Sequence, residues 1–217
     1  NWKLDRSRRS ILMELLVATT NPGKFKEVSA FLKHLPLQIV SLTDLLDSPR
    51  VIEDGLTFEE NALKKARALA EFSGLLTLAD DSGLEVDALN GAPGIYSARY
   101  AGAECDDNKN NQKLLSELQC LTEDDRSARF VCALALCSPG SRRTPDWTVR
   151  EVCEGRIAFA LQGKHGFGYD PLFFYPPMGK TFGEIERETK AMVSHRGKAL
   201  KRLAVKLRDL LGISKQT

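Results

Sequence analysis

Apolar residues along this chain recur with two spacings, and the runs with strand-like spacing divide the sequence into segments. A short apolar run, or strict alternation of apolar and polar residues, is typical of a buried or half-buried strand. Such runs predict strands at residues 14–18, 37–42, 75–79, 128–138, 147–161 and 172–175. A turn-rich surface segment joins the two longest runs, which therefore predict a hairpin.

Segments with helical spacing lie between and after these strands. The helix after the first strand has one apolar face, formed by Phe25, Val28, Phe31 and Leu32. A longer helix begins at Thr57, which with Glu60 has the spacing of a capping box, and it ends at Gly74. Two further helices are predicted over residues 106–121 and from Ser194 onward. This arrangement predicts an α/β fold, with an elongated mixed β-sheet flanked by helices.

Length and charge narrow the classes of protein to consider. At 217 residues the chain can bury one substantial core, and we predict a single domain over residues 13–217. The net charge of +2 is too small to indicate a nucleic-acid partner, and the sequence has no basic stripe with interleaved aromatic residues. No apolar run approaches the length of a membrane span, so we expect no membrane partner.

The cysteine pattern is typical of a cytoplasmic protein. The five cysteines are odd in number and contain no Cys-x-x-Cys pair, so we expect reduced, structural thiols. The three histidines are scattered, which disfavours a zinc site.

The first residues have a composition unlike that of the rest. Residues 1–12 are polar and basic, precede Met13, and lack the apolar middle of a signal peptide. We expect residues 1–12 to be an N-terminal extension, upstream of a native start at Met13.

The strongest candidate for chemistry is Asp80-Asp81-Ser82-Gly83, which follows the apolar run 75–79. Carboxylates at the carboxyl end of a strand lie where open α/β sheets bind their ligands. Two adjacent like charges at the edge of the core cost free energy unless a cation or hydrogen-bond donors compensate them. We therefore favour a site for a hard divalent metal over an ordinary turn with an aspartate cap.

Two further segments are candidates for binding an anion. In the segment TTNPGK (residues 19–24), a turn leads into a helix N-terminus with free N–H groups, and Lys24 adds a full charge. Lys190, His195 and Arg196 place basic groups near the start of the last helix, where cations are normally unfavourable. A bound anion or base carbonyl would account for them. The structural alternatives are a plain strand-to-helix turn and a solvated helix start.

The glycine-rich segment GFGYD (residues 166–170) is a candidate for binding a planar base. Glycines beside aromatic residues suit a loop that closes over a ring, with Phe167 or Tyr169 stacking on it. A turn with both aromatic side chains in the core fits the segment equally well.

Taken in order, these segments resemble those of the inosine/xanthosine triphosphate pyrophosphatase family of nucleotide hydrolases. The resemblance extends from Met13 to Leu211 and includes TTNPGK, TFEENA, ADDSGLEVDALNGAPGIYSARYAG, FGYDP, and a lysine followed by SHRGKAL. It implies a homodimer with two lobes around a central nucleotide-binding cleft. It also implies magnesium-dependent hydrolysis of a nucleoside triphosphate substrate to the monophosphate and pyrophosphate, with preference for dITP, ITP and XTP.

The resemblance also implies a role for each matching residue. Asp81 would be the proton acceptor and a Mg2+ ligand. The implied substrate-binding residues are Thr19, Thr20, Asn21, Pro22, Gly23, Lys24, Ser82, Phe167, Gly168, Tyr169, Asp170, Lys190, His195 and Arg196. The first six would hold the phosphates, and the later ones the rest of the nucleotide.

One position departs from the family pattern. Many relatives have a metal-binding glutamate three residues before the glycine of EDGLTFEENA, where this chain has Ile52. Either Glu53, one residue on, is the second ligand, or the metal relies on Asp81, the phosphates and water. Glu60 is a further candidate, although its capping role explains it without function.

Hydrogen-bond polarity offers a basis for selectivity. Hypoxanthine and xanthine present an acceptor oxygen where adenine presents an amino donor, and the donors on His195 and Arg196 suit the oxygen. Two other functions are compatible with these segments: a pyrophosphatase for other modified nucleotides, and a non-catalytic nucleotide-binding module. Asp81 disfavours the second, because a protein that only binds triphosphates has little need of a bare carboxylate beside them.

Overall fold

The computed structural model describes residues 12–140 and 146–213, which form a seven-stranded mixed sheet flanked by helices. The strands are β1 (Met13–Ala18), β2 (Leu37–Ser41), β3 (Leu76–Val86), β4 (Ser127–Cys137), β5 (Trp147–Ile157), β6 (Phe173–Tyr175) and β7 (Lys180–Thr181). The helices are α1 (Pro22–Leu32), α2 (Phe58–Ser73), α3 (Asp107–Glu117), α4 (Arg187–Val193) and α5 (His195–Leu210). The predicted α/β fold is confirmed. The predicted extension lies outside the described residues, apart from Leu12.

The sheet has the strand order β2-β1-β3-β4-β5-β6-β7. Strand β1 runs parallel to both β2 and β3, and every later pair is antiparallel, including the predicted hairpin of β4 and β5. The last residue of β1, Ala18, pairs with Ala79, whereas β3 continues to Val86. The side of β3 that faces β1 is therefore free of β1 from Asp80 onward.

Helices cover both faces of the sheet. Side chains alternate between the faces along each strand, so Leu78 packs with α1 and α5 whereas Ala79 packs with α2. A separate cluster around Leu84, Phe130 and Phe173 fills the far end of the sheet. The core thus has three clusters, one on each face of the sheet and one at its far end. None of the described helices is long and apolar enough to cross a membrane.

Strand β3 differs most from its prediction. The apolar run 75–79 was expected to end in a turn at Asp80, but Asp80 and Asp81 lie in the middle of β3. The strand continues because β4 pairs with it along its length, from Thr77 opposite Cys137 to Val86 opposite Ala128. Backbone pairing with β4 outweighs the turn preference of Asp, Ser and Gly.

Two other boundaries also lie earlier than predicted. Helix α3 ends at Glu117, because the guanidinium of Arg126 donates to the carbonyls of Leu118 and Leu121 and so caps the end of the helix. Strand β5 ends at Ile157, after which the N–H of Ala158 donates to Leu172 O.

Candidate active site

The sheet separates the two adjacent carboxylates. Because successive side chains of a strand point to opposite faces, Asp80 faces α1 and α5, whereas Asp81 faces α2. The expectation that this pair shares one metal ion is therefore wrong. Each acid has its own set of partners.

Asp80 is fully compensated by its neighbours. Its Oδ1 lies 2.7 Å from Lys24 Nζ and accepts a hydrogen bond from Ser82 Oγ, and its Oδ2 lies 2.8 Å from Arg196 Nε. Burial alone would raise the pKa of Asp80, but Arg196 and Lys24 hold it well below the ordinary value. Asp80 is thus an ionised anchor for two cations of the site.

Glu27 of α1 is a site residue that sequence reasoning missed. Its carboxylate lies 2.6 Å from Arg196 Nη1 and 3.4 Å from Lys190 Nζ, and Lys190 also pairs with Asp170 at 2.6 Å. Burial opposes ionisation of Glu27, but Arg196 and Lys190 lower its pKa below the ordinary value. The sequence offers only its position one turn after Lys24 as a signal, because its contacts require α1 to pack beside α5.

The basic residues that begin α5 do not form a free cationic patch. The charge on Arg196 is met by Asp80 and Glu27. The His195 ring stacks on Phe130 at 4.7 Å between ring centroids, and its Nδ1 is buried without a hydrogen-bond partner. Burial, with Arg196 next to it, holds the pKa of His195 well below 6.5, so this imidazole is neutral at physiological pH.

Asp81 has a different environment on the α2 face. It is buried, and its Oδ2 has no hydrogen-bond partner. Burial raises its pKa above the ordinary value, and nearby Glu53 adds to the increase, whereas Lys24, Lys65 and Asn61 act in the opposite direction. Asp81 is therefore a carboxylate with a free oxygen and increased basicity, which are properties of a general base.

Glu53, and not Ile52, lies near enough to Asp81 to raise its pKa. Ile52 is 71% exposed, whereas the Glu53 carboxylate lies 2.9 Å from Lys65 Nζ on the Asp81 side of α2. Glu60 is already used, because its carboxylate accepts the N–H of Leu56 while its own N–H donates to Thr57 Oγ1. Of the sequence alternatives for a second metal ligand, the geometry favours Glu53.

These acids fit magnesium bound together with a substrate. Within residues 12–140 and 146–213, no group of three or more His, Cys, Asp or Glu side chains forms a metal-binding cluster. Mg2+ is commonly held by one or two carboxylates, with substrate phosphates and water completing its octahedral shell. The unpartnered Oδ2 of Asp81 and the carboxylate of Glu53 supply that number of ligands.

The segment 19–24 forms the predicted strand-to-helix turn. Asn21 caps α1, with its Oδ1 accepting the N–H of Lys24 at 3.0 Å, and Thr19 Oγ1 accepts the N–H of Asn21. Pro22 and Gly23 form the first turn, and Thr20 is exposed just before it. The helix dipole and Lys24 therefore face the open side of β3, as an anion site requires.

The 166–170 loop brings Phe167 to this turn. A methyl group added to Gly23 would lie 2.7 Å from Phe167 Cδ1, so only glycine permits this contact. Lys190 Nζ and Arg196 Cζ lie 5.1 and 5.6 Å from the centroid of the Phe167 ring. Asp170 holds the loop, since its Oδ2 accepts the N–H of Phe167 at 2.8 Å.

Of the two aromatic candidates for stacking, only Phe167 lies among the site residues. Tyr169 is buried in the cluster at the far end of the sheet, and its hydroxyl donates to Ser97 O at 2.8 Å. Gly168 ties the loop to α3, because its N–H donates to Asp107 and its carbonyl accepts from Asn111. Tyr169 and Gly168 therefore support the loop.

Comparison with known proteins places this arrangement in one family. The model of the Ham1 family matches residues 15–206, which include every site residue from Thr19 to Arg196. The chain belongs to the Ham1 family. A Ham1 relative from Exiguobacterium sp., named dITP/XTP pyrophosphatase, is 52% identical over 195 residues, which are 90% of this chain and 97% of that protein.

Two other Ham1 proteins extend the comparison. A Geobacter sulfurreducens protein, also named dITP/XTP pyrophosphatase, is 51% identical over 201 residues, 93% of this chain and 98% of that protein. The solved structure of a HAM1 protein from Coxiella burnetii matches with a TM-score of 0.82 and 40% identity, and covers 91% of this chain and 100% of the other. The family and the fold are therefore both shown.

Proposed function

We propose that this Ham1 protein hydrolyses the non-standard purine nucleotides dITP, ITP and XTP to the monophosphate and pyrophosphate, and so removes them from the nucleotide pool. The observation that carries the proposal is the buried Asp81 carboxylate with its free Oδ2, which lies near enough to Lys24 for the ammonium to act on its pKa. The names of the Exiguobacterium and Geobacter relatives support the same reaction.

Asp81 acts as the general base of the proposed reaction. It orients a water molecule toward the α-phosphorus and accepts its proton, and pyrophosphate leaves. A raised pKa suits this role, because a base works best when its pKa approaches the working pH. Ser82, next to Asp81, lies on the Asp80 side of β3 and contacts the substrate there.

The phosphates are held by the segment Thr19–Lys24. The positive end of the α1 dipole and the ammonium of Lys24 neutralise their charge, which is the main requirement of phosphoryl transfer. Asp81 and Glu53 are the residues that hold Mg2+ in this proposal. When bound, the ion supplies further neutralisation of the phosphate charge.

The purine base of the substrate is bound on the side of Lys24 opposite to the phosphates. Phe167 stacks on it, and the donors of His195 and Arg196 prefer a six-keto oxygen to the amino group of adenine. Asp80 and Glu27 fix the guanidinium of Arg196, so it cannot turn away to accommodate adenine. The fixed guanidinium of Arg196 would face the amino group of adenine, and such a donor–donor mismatch discriminates strongly against ATP.

The magnesium requirement, the homodimer and the cytoplasmic location are also part of the proposal. None of the five cysteines, all of which lie in the described ranges, forms a disulfide, which supports a reducing compartment. The homodimer rests on the family resemblance, and light scattering of the purified protein tests it directly.

One assay tests the function as a whole. Pyrophosphate release is measured on dITP, XTP, GTP, ATP and a modified pyrimidine nucleoside triphosphate, each with and without Mg2+. We expect rapid, magnesium-dependent release from dITP and XTP and little from ATP. Equal cleavage of ATP and dITP, or release of orthophosphate in place of pyrophosphate, would overturn the proposal. Activity confined to modified pyrimidine nucleotides would point to the alternative pyrophosphatase, and nucleotide binding without turnover to a binding module.

A further inference from the structure

Asn61, in the first turn of α2, connects the two acidic segments of the site. It is 1% exposed, and its Oδ1 accepts the N–H of Gly55 at 2.8 Å. Gly55 follows Glu53 by two residues, so this hydrogen bond holds the chain that carries the Glu53 carboxylate. The segment 51–57 has no helix or strand of its own to hold it.

The orientation of the Asn61 amide follows from that hydrogen bond. Because a backbone N–H donates to it, the oxygen faces Gly55 and the amino group faces away from it. The side-chain amide of Asn61 interacts with the Asp81 carboxylate and lowers its pKa, while Oδ2 of Asp81 remains buried without a hydrogen-bond partner. A buried polar group without a partner costs free energy. The unpartnered Oδ2 of Asp81, next to this side chain, is therefore the group that a ligand completes.

Gly55 is matched to this contact. A methyl group added there would lie 2.8 Å from Asn61 Oδ1 and 2.8 Å from Glu60 Cβ. The backbone can approach α2 this closely only without a side chain. The segment around Gly55 also places Glu53 Oε1 2.9 Å from the Nζ of Lys65, which lies one helical turn after Asn61.

We infer that Asn61 is a positioning residue, which fixes the Glu53–Gly55 segment against β3 so that the Glu53 and Asp81 carboxylates are placed for one divalent cation. Asn61 does not itself touch the reacting atoms. Its carbonyl sets the position of Glu53, and its amino group faces Asp81. This inference rests on the proposed function, because it takes these two acids as the metal ligands.

Three substitutions separate this role from simple packing. Asn61→Leu removes the acceptor for Gly55, and Gly55→Ala disrupts the same contact from the loop without changing the core. Asn61→Asp retains an acceptor oxygen for the Gly55 N–H. Asn110→Ala is the matched control, because Asn110 is also a buried asparagine that bonds backbone groups, at Ala98 and Ala101, away from the acids.

Cation affinity is the decisive measurement. Binding of Mn2+ is followed by electron paramagnetic resonance on the whole protein, with a non-hydrolysable dITP analogue present. We expect Asn61→Leu and Gly55→Ala to weaken Mn2+ binding about tenfold or more, as loss of an outer-shell partner does. Asn61→Asp and Asn110→Ala should retain the affinity. The double variant should be no weaker than the poorer single variant, because both break one contact.

Turnover gives a second, independent readout. The rate of Asn61→Leu on dITP should recover as Mg2+ is raised, whereas a loss of rate from poor packing would not respond to Mg2+. Mn2+ affinity that is unchanged in both Asn61→Leu and Gly55→Ala, or lost equally in Asn61→Asp, overturns the inference. If Asp81→Asn also leaves Mn2+ affinity intact, the metal assignment and the inference fall together. Absence of pyrophosphate release by the unaltered protein would instead overturn the proposed function, while the Mn2+ series still reports on Asn61.

Discussion

Asp80 and Asp81 are neighbours of the same residue type, yet the two faces of β3 give them opposite properties. On the α5 face, Lys24, Arg196 and Ser82 satisfy both oxygens of Asp80, and its pKa lies well below the ordinary value. On the α2 face, Asp81 retains an unpartnered oxygen, and burial raises its pKa. Environments that move two carboxyl pKa values apart are a recurrent means of assigning one acid to structure and the other to chemistry.

The sharpest test of this comparison is Asp81→Asn. We expect turnover of dITP to fall by about a thousandfold, the scale of general-base catalysis, because the amide cannot accept the proton of water. Stability should be unchanged or slightly higher, since a buried and partly unpaired charge is removed. Steady-state rates and urea unfolding measure the two effects. Near-normal turnover would show that Asp81 is not the base.

The converse substitution, Asp80→Asn, should act mainly on stability. It leaves the buried guanidinium of Arg196 and the ammonium of Lys24 short of one counter-charge, and we expect a loss of about 3 kcal/mol in the free energy of unfolding. Urea denaturation at pH 7 measures it. A stability equal to that of Asp81→Asn would mean that the two faces do not differ as described.

Arg196→Ala should lower the selectivity for dITP over ATP and also reduce stability. We expect the ratio of kcat/KM for dITP to that for ATP to fall about tenfold, because the fixed donor that disfavours adenine is removed. Arg202→Ala is the control, since Arg202 lies on the same helix but is exposed and pairs with Glu151. If the ratio is unchanged in both variants, Arg196 serves only to compensate Asp80 and Glu27.

The smallest expected effect concerns His195 and pH. Its folded-state pKa is lowered, so below about pH 6.5 the unfolded chain binds a proton that the folded chain does not. Stability is therefore complete above that pH and decreases on acidification, by up to about 1.4 kcal/mol per pH unit, until the folded-state pKa is reached. His195→Gln should flatten the unfolding free energy between pH 6.5 and 5. An equally steep decrease in the variant would assign the effect to other groups.

The sequence predicted most elements in their order, though not β7 or α4, because local signals agreed with the tertiary structure. Thr57 caps α2, Gly74 ends it in the left-handed conformation, and Ser194 caps α5, each as its spacing indicated. The turn predicted at Asp80 was wrong, because pairing with β4, more than forty residues away, keeps the chain extended. Local preference carries no information on so distant a partner.

The same limit applies to the candidate site. Lys24 and Arg196 both contact Asp80, and which of the two adjacent acids meets these cations depends on the face of β3. Glu27 was missed because its role exists only when α1 packs beside α5. The role of Asn61 was also missed, since nothing in the neighbouring sequence indicates that the N–H of Gly55 donates to its side chain.

The alternation of side chains along β3 also bears on how the length of this protein can change. Gain or loss of a single residue between Leu76 and Asp81 would turn each acid onto the opposite face, while the helices on either side kept their places. Asp81, the proposed general base, would then face Arg196, and Asp80 would face the segment that carries Glu53. The number of residues from Leu76 to Asp81 therefore determines which face of the sheet each acid occupies, and insertions are tolerable only in the loops outside this stretch.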